Sequence, residues 1–318
     1  MRIAFFGTPD FAVPSLDAVA RSRHDLAVVV TQPDKPRGRG KKVTPAPVKA
    51  RALELGVPVL QPTALKPPAF AAELAALHLD LAVVAAYGRI LPAHVLTTPR
   101  LGMINVHASL LPRWRGAAPV HRAVLADDRE TGVTIMRVVP ALDAGPMLAR
   151  LPTPIGADET SEELERRLAV LGADLLGETI EALARGPVTE TDQDESLVTY
   201  AHRLERRESS LDWSLPAADV HNQIRGLTPW PLTSSLLAGR RLILHRSRVA
   251  ERDGVLATPG TVLSASDSGL VVAAGRGSVT LIEVQAEGRP PMPVRAFLNG
   301  HRVHAGEKLE RWTPPVPN

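Results

Sequence analysis

At 318 residues the chain is about twice a usual domain length, so two compact domains are expected before one. Its 44% apolar and 22% charged content is that of a folded globular protein and excludes a disordered or fibrous chain. No run approaches the roughly 18 apolar residues that cross a bilayer, the stretch from Ile3 to Phe6 is too short for a signal-peptide core, and the lack of Cys rules out disulfides, a thiolate nucleophile and Cys-based zinc. A soluble, untargeted protein of the cytoplasm with no membrane partner is the expectation.

In chain order, Arg2 to Gly7 is a short apolar run closed by glycine, and Ala12 to Ala20 is amphipathic, which reads as strand, turn, helix. Leu26 to Val30 repeats the strand signal. The segment from Thr31 to Arg51 holds Pro33, Pro36, Gly38 and Gly40, through which neither helix nor strand is expected to run, so a mobile loop is predicted. It carries seven basic side chains, among them Arg37, Arg39, Lys41 and Lys42, opposed only by Asp34; that is net +6 in a chain whose total is +3. Such a run alone reads equally as a solvated loop. A helix over 48–55, a strand over 57–60, a helix over 69–77 and an apolar run over 79–86 continue an alternation that implies a parallel sheet covered on both faces.

After Tyr87 and Gly88, strand signals return at 102–107 and 132–139. A helix over 161–185, acidic at its start and ending on Arg185, agrees with the helix dipole and is expected to close the first domain. From Gly186 to Glu208 the chain turns polar, with Thr191, Asp192, Gln193, Asp194 and Glu195, as a connector would. Beyond it come a short helical piece and five short β-rich runs between Gly, Asp and Ser turns, the spacing of a small barrel or sandwich. Residues 206–318 carry 14 basic and 10 acidic side chains, which leaves the rest at net −1, so the basicity lies in the C-terminal third. The expected organisation is a Rossmann-like α/β domain over 1–188, a linker over 189–207 and a small β-barrel domain over 208–318.

Chemistry is sought where polar side chains meet the carboxyl ends of strands, because ligands of parallel sheets bind there. Asn105 and His107 are two apart, so in a strand both face one side while Ile104 and Val106 face the other. Alone the pair reads more readily as hydrogen-bonded strand-end residues. Asp143 falls in the turn signal Leu142-Asp143-Ala144-Gly145 after a strand, where Asp is ordinarily a turn former. An amide, an imidazole and a carboxylate placed by pattern at one sheet edge change that reading. No metal is expected, since there is no His-Glu-x-x-His and His301 with His304 is a lone pair. A dinucleotide site is poorly supported, because the turn at Gly7 lacks the Gly-x-Gly-x-x-Gly spacing.

Asn105-Val106-His107, Ser109-Leu110-Leu111-Pro112 and the distal Asp143 resemble the signature of the folate-dependent formyltransferases over about the first 190 residues. The turn from Phe6 to Phe11, the basic loop from Thr31 to Lys42, Ala86-Tyr87-Gly88 and Leu227-Thr228-Pro229-Trp230-Pro231 extend the resemblance to the branch that acts on charged tRNA. It departs at Pro140 and Pro146, which flank the Asp143 turn. The resemblance implies transfer of a formyl group from 10-formyltetrahydrofolate to the α-amino group of initiator methionyl-tRNA. It implies Asn105, His107 and Asp143 as the catalytic trio and Ser109, Leu110, Leu111 and Pro112 along the folate. It further implies that the second domain is a barrel of the oligonucleotide-binding type.

That chemistry needs no protein nucleophile, because an α-amino group with a pKa near 7.7 to 8.0 is partly neutral at pH 7. It needs a donor to the oxyanion of a tetrahedral intermediate and a path for a proton, for which Asn105, His107 and Asp143 are suitable groups. The basic loop and the basic C-terminal domain suit a polyanionic acceptor, with Arg37, Arg39, Lys41 and Lys42 expected on the acceptor stem. A formyltransferase acting on a small amine, such as an amino sugar or glycinamide ribonucleotide, is the alternative within the family, and it has no use for the loop or the second domain. Hydrolysis of formyl-folate, and an RNA-binding module without catalysis, are more distant readings. No obligate protein partner is predicted, and a monomer is the default.

Overall fold

The computed structural model describes residues 1–37 and 42–315. The chain divides into two compact units. One is Met1–Pro119 with Glu130–Pro154 and Glu165–Ala201; the other is Val120–Arg129 with Ile155–Leu164 and the chain from His202.

Up to residue 201 the elements are β1 (Arg2–Gly7), α1 (Val13–Arg21), β2 (Asp25–Val30), β3 (Lys35–Arg37), β4 (Lys42–Thr44), α2 (Pro47–Glu54), β5 (Val59–Leu60), α3 (Pro68–Ala75), β6 (Leu81–Ala85), α4 (Ala93–Leu96), β7 (Met103–His107), β8 (Arg115–Gly116), α5 (Pro119–Leu125), β9 (Glu130–Arg137), β10 (Met147–Pro154), α6 (Ser161–Arg185) and β11 (Tyr200–Ala201). The main sheet of the first unit runs β10-β9-β7-β6-β1-β2-β5. The five strands from β7 to β5 are parallel, as the alternating pattern implies. Ile3 to Phe6 and all of β6 are buried, the continuous apolar run of a strand covered on both sides.

Two features depart from expectation. The sheet is not parallel throughout, because β9 and β10 are antiparallel to their neighbours. The connection from Arg137 to Met147 is shorter than the dozen or so residues a parallel crossover needs. With Pro152 and Pro154, β10 also reads poorly as a strand, and it is an edge strand, the place where missing N–H groups are tolerated. Two short strands do lie within the basic segment, on either side of residues 38–41, which are outside the described ones: β3 and β4 pair with Lys35 opposite Thr44 and Arg37 opposite Lys42. A two-stranded ribbon consists only of edges and so accepts Pro36.

On one face of the sheet Ala4, Phe6, Val28, Val30, Ala82 and Val84 share a core with Phe70 and Leu74 of α3 and Val95 and Leu96 of α4. On the other, α6 lies against β7 and β9. A Cβ at Gly172 would stand 2.8 Å from Val106 Cγ1 and 3.3 Å from Val133 Cγ1, so glycine permits this close approach. The helix thus covers the Val106 side of β7, and the alternation of the strand turns Asn105 and His107 to the opposite side.

In the second unit α7 (Ala217–Gly226) is followed by β12 (Thr233–Leu237), β13 (Arg240–Glu251), β14 (Val262–Ser266), β15 (Gly269–Ala273), β16 (Ser278–Ala286), β17 (Met292–Pro293), α8 (Val294–Gly300) and β18 (Leu309–Arg311). The strands pair antiparallel in the order β14-β15-β16-β13-β12-β18. A bridge between Thr261 and Lys308 then joins the two ends of that path, with Val262 N–H donating to Glu307 O and Leu309 N–H to Gly260 O, each at 2.8 Å. The sheet closes on itself as a small barrel around Leu242, Leu244, Val272, Val279 and Leu281, with Val220 and Ile224 of α7 packed in. Trp213 joins this core because its indole N–H reaches Ser235 Oγ at 3.0 Å. Among the described residues no helix is long and apolar enough to cross a membrane.

Two imidazoles make this unit acid-sensitive. Burial, with Arg122 beside it, pushes His121 down to about 4, and burial also lowers His221. Each is neutral in the folded chain where it would protonate in the unfolded one, so their stability is complete above the unfolded pKa near 6.5 and is lost as pH falls from there toward 4. His121 alone accounts for up to about 3 kcal/mol. The urea midpoint should fall between pH 7.5 and pH 5, and His121→Phe should shrink that fall; an unchanged pH dependence in the variant would contradict the assignment.

Candidate active site

Asn105 and His107 stand at the carboxyl end of β7, where Asn105 is in register with Val84 of β6 and Met136 of β9. Asn105 is half-buried. His107 is buried and held from two sides. Its Nε2 is 3.0 Å from Trp114 O, and because a carbonyl only accepts, Nε2 carries the proton. The other ring nitrogen, Nδ1, faces Asp143 Oδ2 at 3.8 Å.

The loop after β7 is shaped by its own hydrogen bonds. Ser109 Oγ donates to Arg113 O at 2.6 Å, Thr134 Oγ1 donates to Ser109 O at 2.7 Å, and Leu111 N–H donates to Thr134 Oγ1 at 3.1 Å. Ser109 and Leu111 are fully buried, Leu111 in a cluster with Met136 and Met147, while Leu110 and Pro112 keep exposed surface. The Leu111–Pro112 bond is cis. Trp114 takes a left-handed backbone conformation (φ 65°), and its N–H is held by Thr199 Oγ1 at 2.9 Å.

Asp143 lies in the turn between β9 and β10, also left-handed at φ 46°. Gly116 N–H donates to its Oδ2 at 2.8 Å, and Gln193 Nε2 donates to Asp143 O and Gly145 O, both at 2.8 Å. His107 and Asp143 therefore come together, and Asn105 stands two residues before His107 on the same face of the strand. The fixing groups were not legible in the sequence: Trp114 O and Gly116 N–H are main chain and leave no residue-type signal, and Gln193 stands 50 positions beyond the turn it holds.

In the basic segment Lys49 is ion-paired with Asp34 at 2.6 Å and Gln61 Nε2 donates to Asp34 Oδ1 at 2.9 Å, and these contacts hold the Asp34 carboxyl below its usual range. Arg51 pairs with Asp17 and Glu54, and Lys35 donates to Gln32. Arg37 and Lys42 are register partners across the ribbon, and Arg39 and Lys41 lie outside the described residues. Among the described residues no group of three or more His, Asp or Glu side chains is arranged to hold a metal ion.

This chain belongs to the formyl transferase family: the family model matches residues 1–180, and the model of the formyl transferase C-terminal domain matches 203–302. It is 49% identical over 309 residues to the methionyl-tRNA formyltransferase of Methylococcus capsulatus, covering 97% of this chain and 99% of that one. To the methionyl-tRNA formyltransferase of Pseudomonas paraeruginosa it is 49% identical over 311 residues, again 97% and 99% of the two chains. The fold is shared with an N-formyltransferase from Helicobacter canadensis, solved with folinic acid and dTDP-3-aminofucose, at a TM-score of 0.67 and 15% identity over 90% of this chain and 99% of that one.

The turn that carries Asp143 tolerates no side chain at Gly145, where a Cβ would meet Arg137 O at 1.9 Å. Gly145→Ala should displace the Asp143 carboxylate and slow formyl transfer on the order of 100-fold while the chain still folds. Single-turnover rates with a melting curve as control check this; an unaffected rate would contradict it.

Proposed function

We propose that this chain transfers the formyl group of 10-formyltetrahydrofolate to the α-amino group of methionine on initiator tRNA, giving N-formylmethionyl-tRNA for translation initiation. The observation that carries the reading is an amide, Asn105, two residues along the same strand face from an imidazole whose Nε2 lies 3.0 Å from Trp114 O and whose Nδ1 lies 3.8 Å from Asp143 Oδ2. Near-half identity along the whole chain to enzymes named for methionyl-tRNA supports the acceptor.

The folate, when bound, supplies the formyl carbon to an amine that is partly neutral at pH 7. Asn105 brings an N–H donor to a strand end, suited to the negative charge that develops on the formyl oxygen. A fixed donor of this kind is worth on the order of 100-fold or more in rate, because it is already oriented when the charge appears. With Nε2 held by Trp114 O, His107 has only Nδ1 to exchange a proton, and Asp143 beside that nitrogen stabilises the positive ring. We therefore assign Asn105 to the oxygen and the His107–Asp143 pair to moving the proton from the amine, as it bonds to the formyl carbon, to the folate nitrogen whose bond to that carbon breaks. The exposed surfaces of Leu110 and Pro112 suit a flat apolar ring, and Ser109 and Leu111 hold the loop that presents them.

We assign the chemistry to residues 1–188, joined by 189–207 to a tRNA-contacting domain over 208–318. Arg37, Arg39, Lys41 and Lys42 are the basic-loop contacts to the acceptor stem. The reaction is placed in the cytoplasm, with no obligate protein partner.

The protein incubated with 10-formyltetrahydrofolate should release the deformylated folate with charged initiator tRNA and not with free amino sugars or glycinamide ribonucleotide. Asn105→Ala should lower the single-turnover rate about 100-fold with folate binding little changed. Arg39→Ala should weaken tRNA use far more than folate binding, and the tRNA affinity should fall steeply with salt. Turnover of a small amine at a rate rivalling the tRNA, or a flat salt response, would sink the acceptor assignment.

A further inference from the structure

We propose that Gln193 is a positioning residue for formyl transfer that acts through Asp143; this rests on the role assigned to Asp143 above. At 3.8 Å the Asp143 oxygen is at the outer limit of an ion pair with His107 Nδ1, so its usefulness depends on where its turn is held. Asp143 has a left-handed backbone, which Asp adopts more readily than most residues, so the direction of its carboxylate is set by the contacts that fix the turn.

Gln193 supplies those contacts. It is 8% exposed, and one amide nitrogen donates to both Asp143 O and Gly145 O, spanning the turn. Its orientation is fixed, because Arg115 Nε donates to Gln193 Oε1 at 2.9 Å and only the oxygen of an amide accepts. Arg115 is 3% exposed and always charged, and its two remaining guanidinium nitrogens bind Glu195 at 2.7 and 3.3 Å. Its neighbour Gly116 holds the Asp143 carboxylate directly. Strand β8 thus reaches Asp143 twice, through the Gly116 N–H at the side chain and through Arg115 and Gln193 at the main chain.

The segment bearing Gln193 is anchored on both flanks. Thr191 and Met147 exchange a pair of main-chain hydrogen bonds at 2.9 and 2.8 Å, and β11 pairs with β8. On the far side of the turn Gly145 abuts Arg137 O. The turn is therefore gripped between Arg137 and Gln193, and removal of the Gln193 amide releases one jaw. It leaves two carbonyls and the Arg115 Nε–H without their partners and lets the carboxylate drift from Nδ1. Groups that orient a reacting residue in this way are worth 10- to 100-fold.

The test is single-turnover formyl transfer to charged initiator tRNA in Gln193→Leu and in the isosteric Gln193→Glu, whose ionised side chain offers no donor to the two carbonyls. Each is also combined with Asp143→Asn, and binding of 5-formyltetrahydrofolate is measured on every variant. We expect each single Gln193 variant to lose 10- to 100-fold in rate with folate affinity within about threefold of the parent. In the Asp143→Asn background we expect less than a twofold further loss, because Gln193 acts only through that carboxylate. A near-parental rate in either single variant, a full additive loss in the double variants, or folate binding lost in step with rate in both would overturn the proposal. If Asp143→Asn itself transfers at the parental rate, the assignment of Asp143 fails instead, whichever way Gln193 behaves.

Discussion

The site depends on the hydrogen bond between His107 Nε2 and the carbonyl of Trp114. A carbonyl has no proton to give, so this bond sets the tautomer, turns Nδ1 toward Asp143 and leaves Asn105 as the amide donor at the strand end. The bond depends in turn on a backbone held out of its ordinary range. Trp114 is left-handed, and Thr199 fixes its N–H from a segment 85 residues away. The proposed chemistry is ordered by main-chain groups, which require no particular side chain but do require a particular path of the chain.

That path follows from how the sheet is covered. Gly172 lets α6 close on Val106 and Val133, and once that face of β7 is occupied the period of two in the strand leaves Asn105 and His107 no other direction. Asp143 approaches from the turn between two antiparallel strands at the margin of the sheet. The antiparallel margin thus brings a carboxylate to the edge where the parallel strands end, which a sheet of uniform direction would do only with a longer connection.

The placing of Asn105, His107 and Asp143 at one sheet edge was legible in the sequence from two polar residues at a spacing of two in an apolar strand and an Asp in a turn of small residues; each signal alone read as structural, and the catalytic assignment came from the family resemblance. The alternation of strand and helix up to Ala86 was legible from local signals of the same kind. What escaped has no local signature. β10 is broken by prolines that only an edge strand accepts, the ribbon of β3 and β4 runs through residues that individually favour loops, and β8 and β11 are two residues each and exist only because they pair with one another. Gln193 and Glu195 looked like connector polarity, yet both are bonded to Arg115, and burial of that guanidinium is visible only in three dimensions.

In the proposed reaction Asn105 and the His107–Asp143 pair meet one formyl group. A crystal structure with a stable formyl-bearing folate analogue tests it most directly. The formyl oxygen should lie about 2.7 to 3.1 Å from Asn105 Nδ2, with His107 Nε2 still on Trp114 O. A formyl group seated away from Asn105, with that amide turned to another partner, would contradict it.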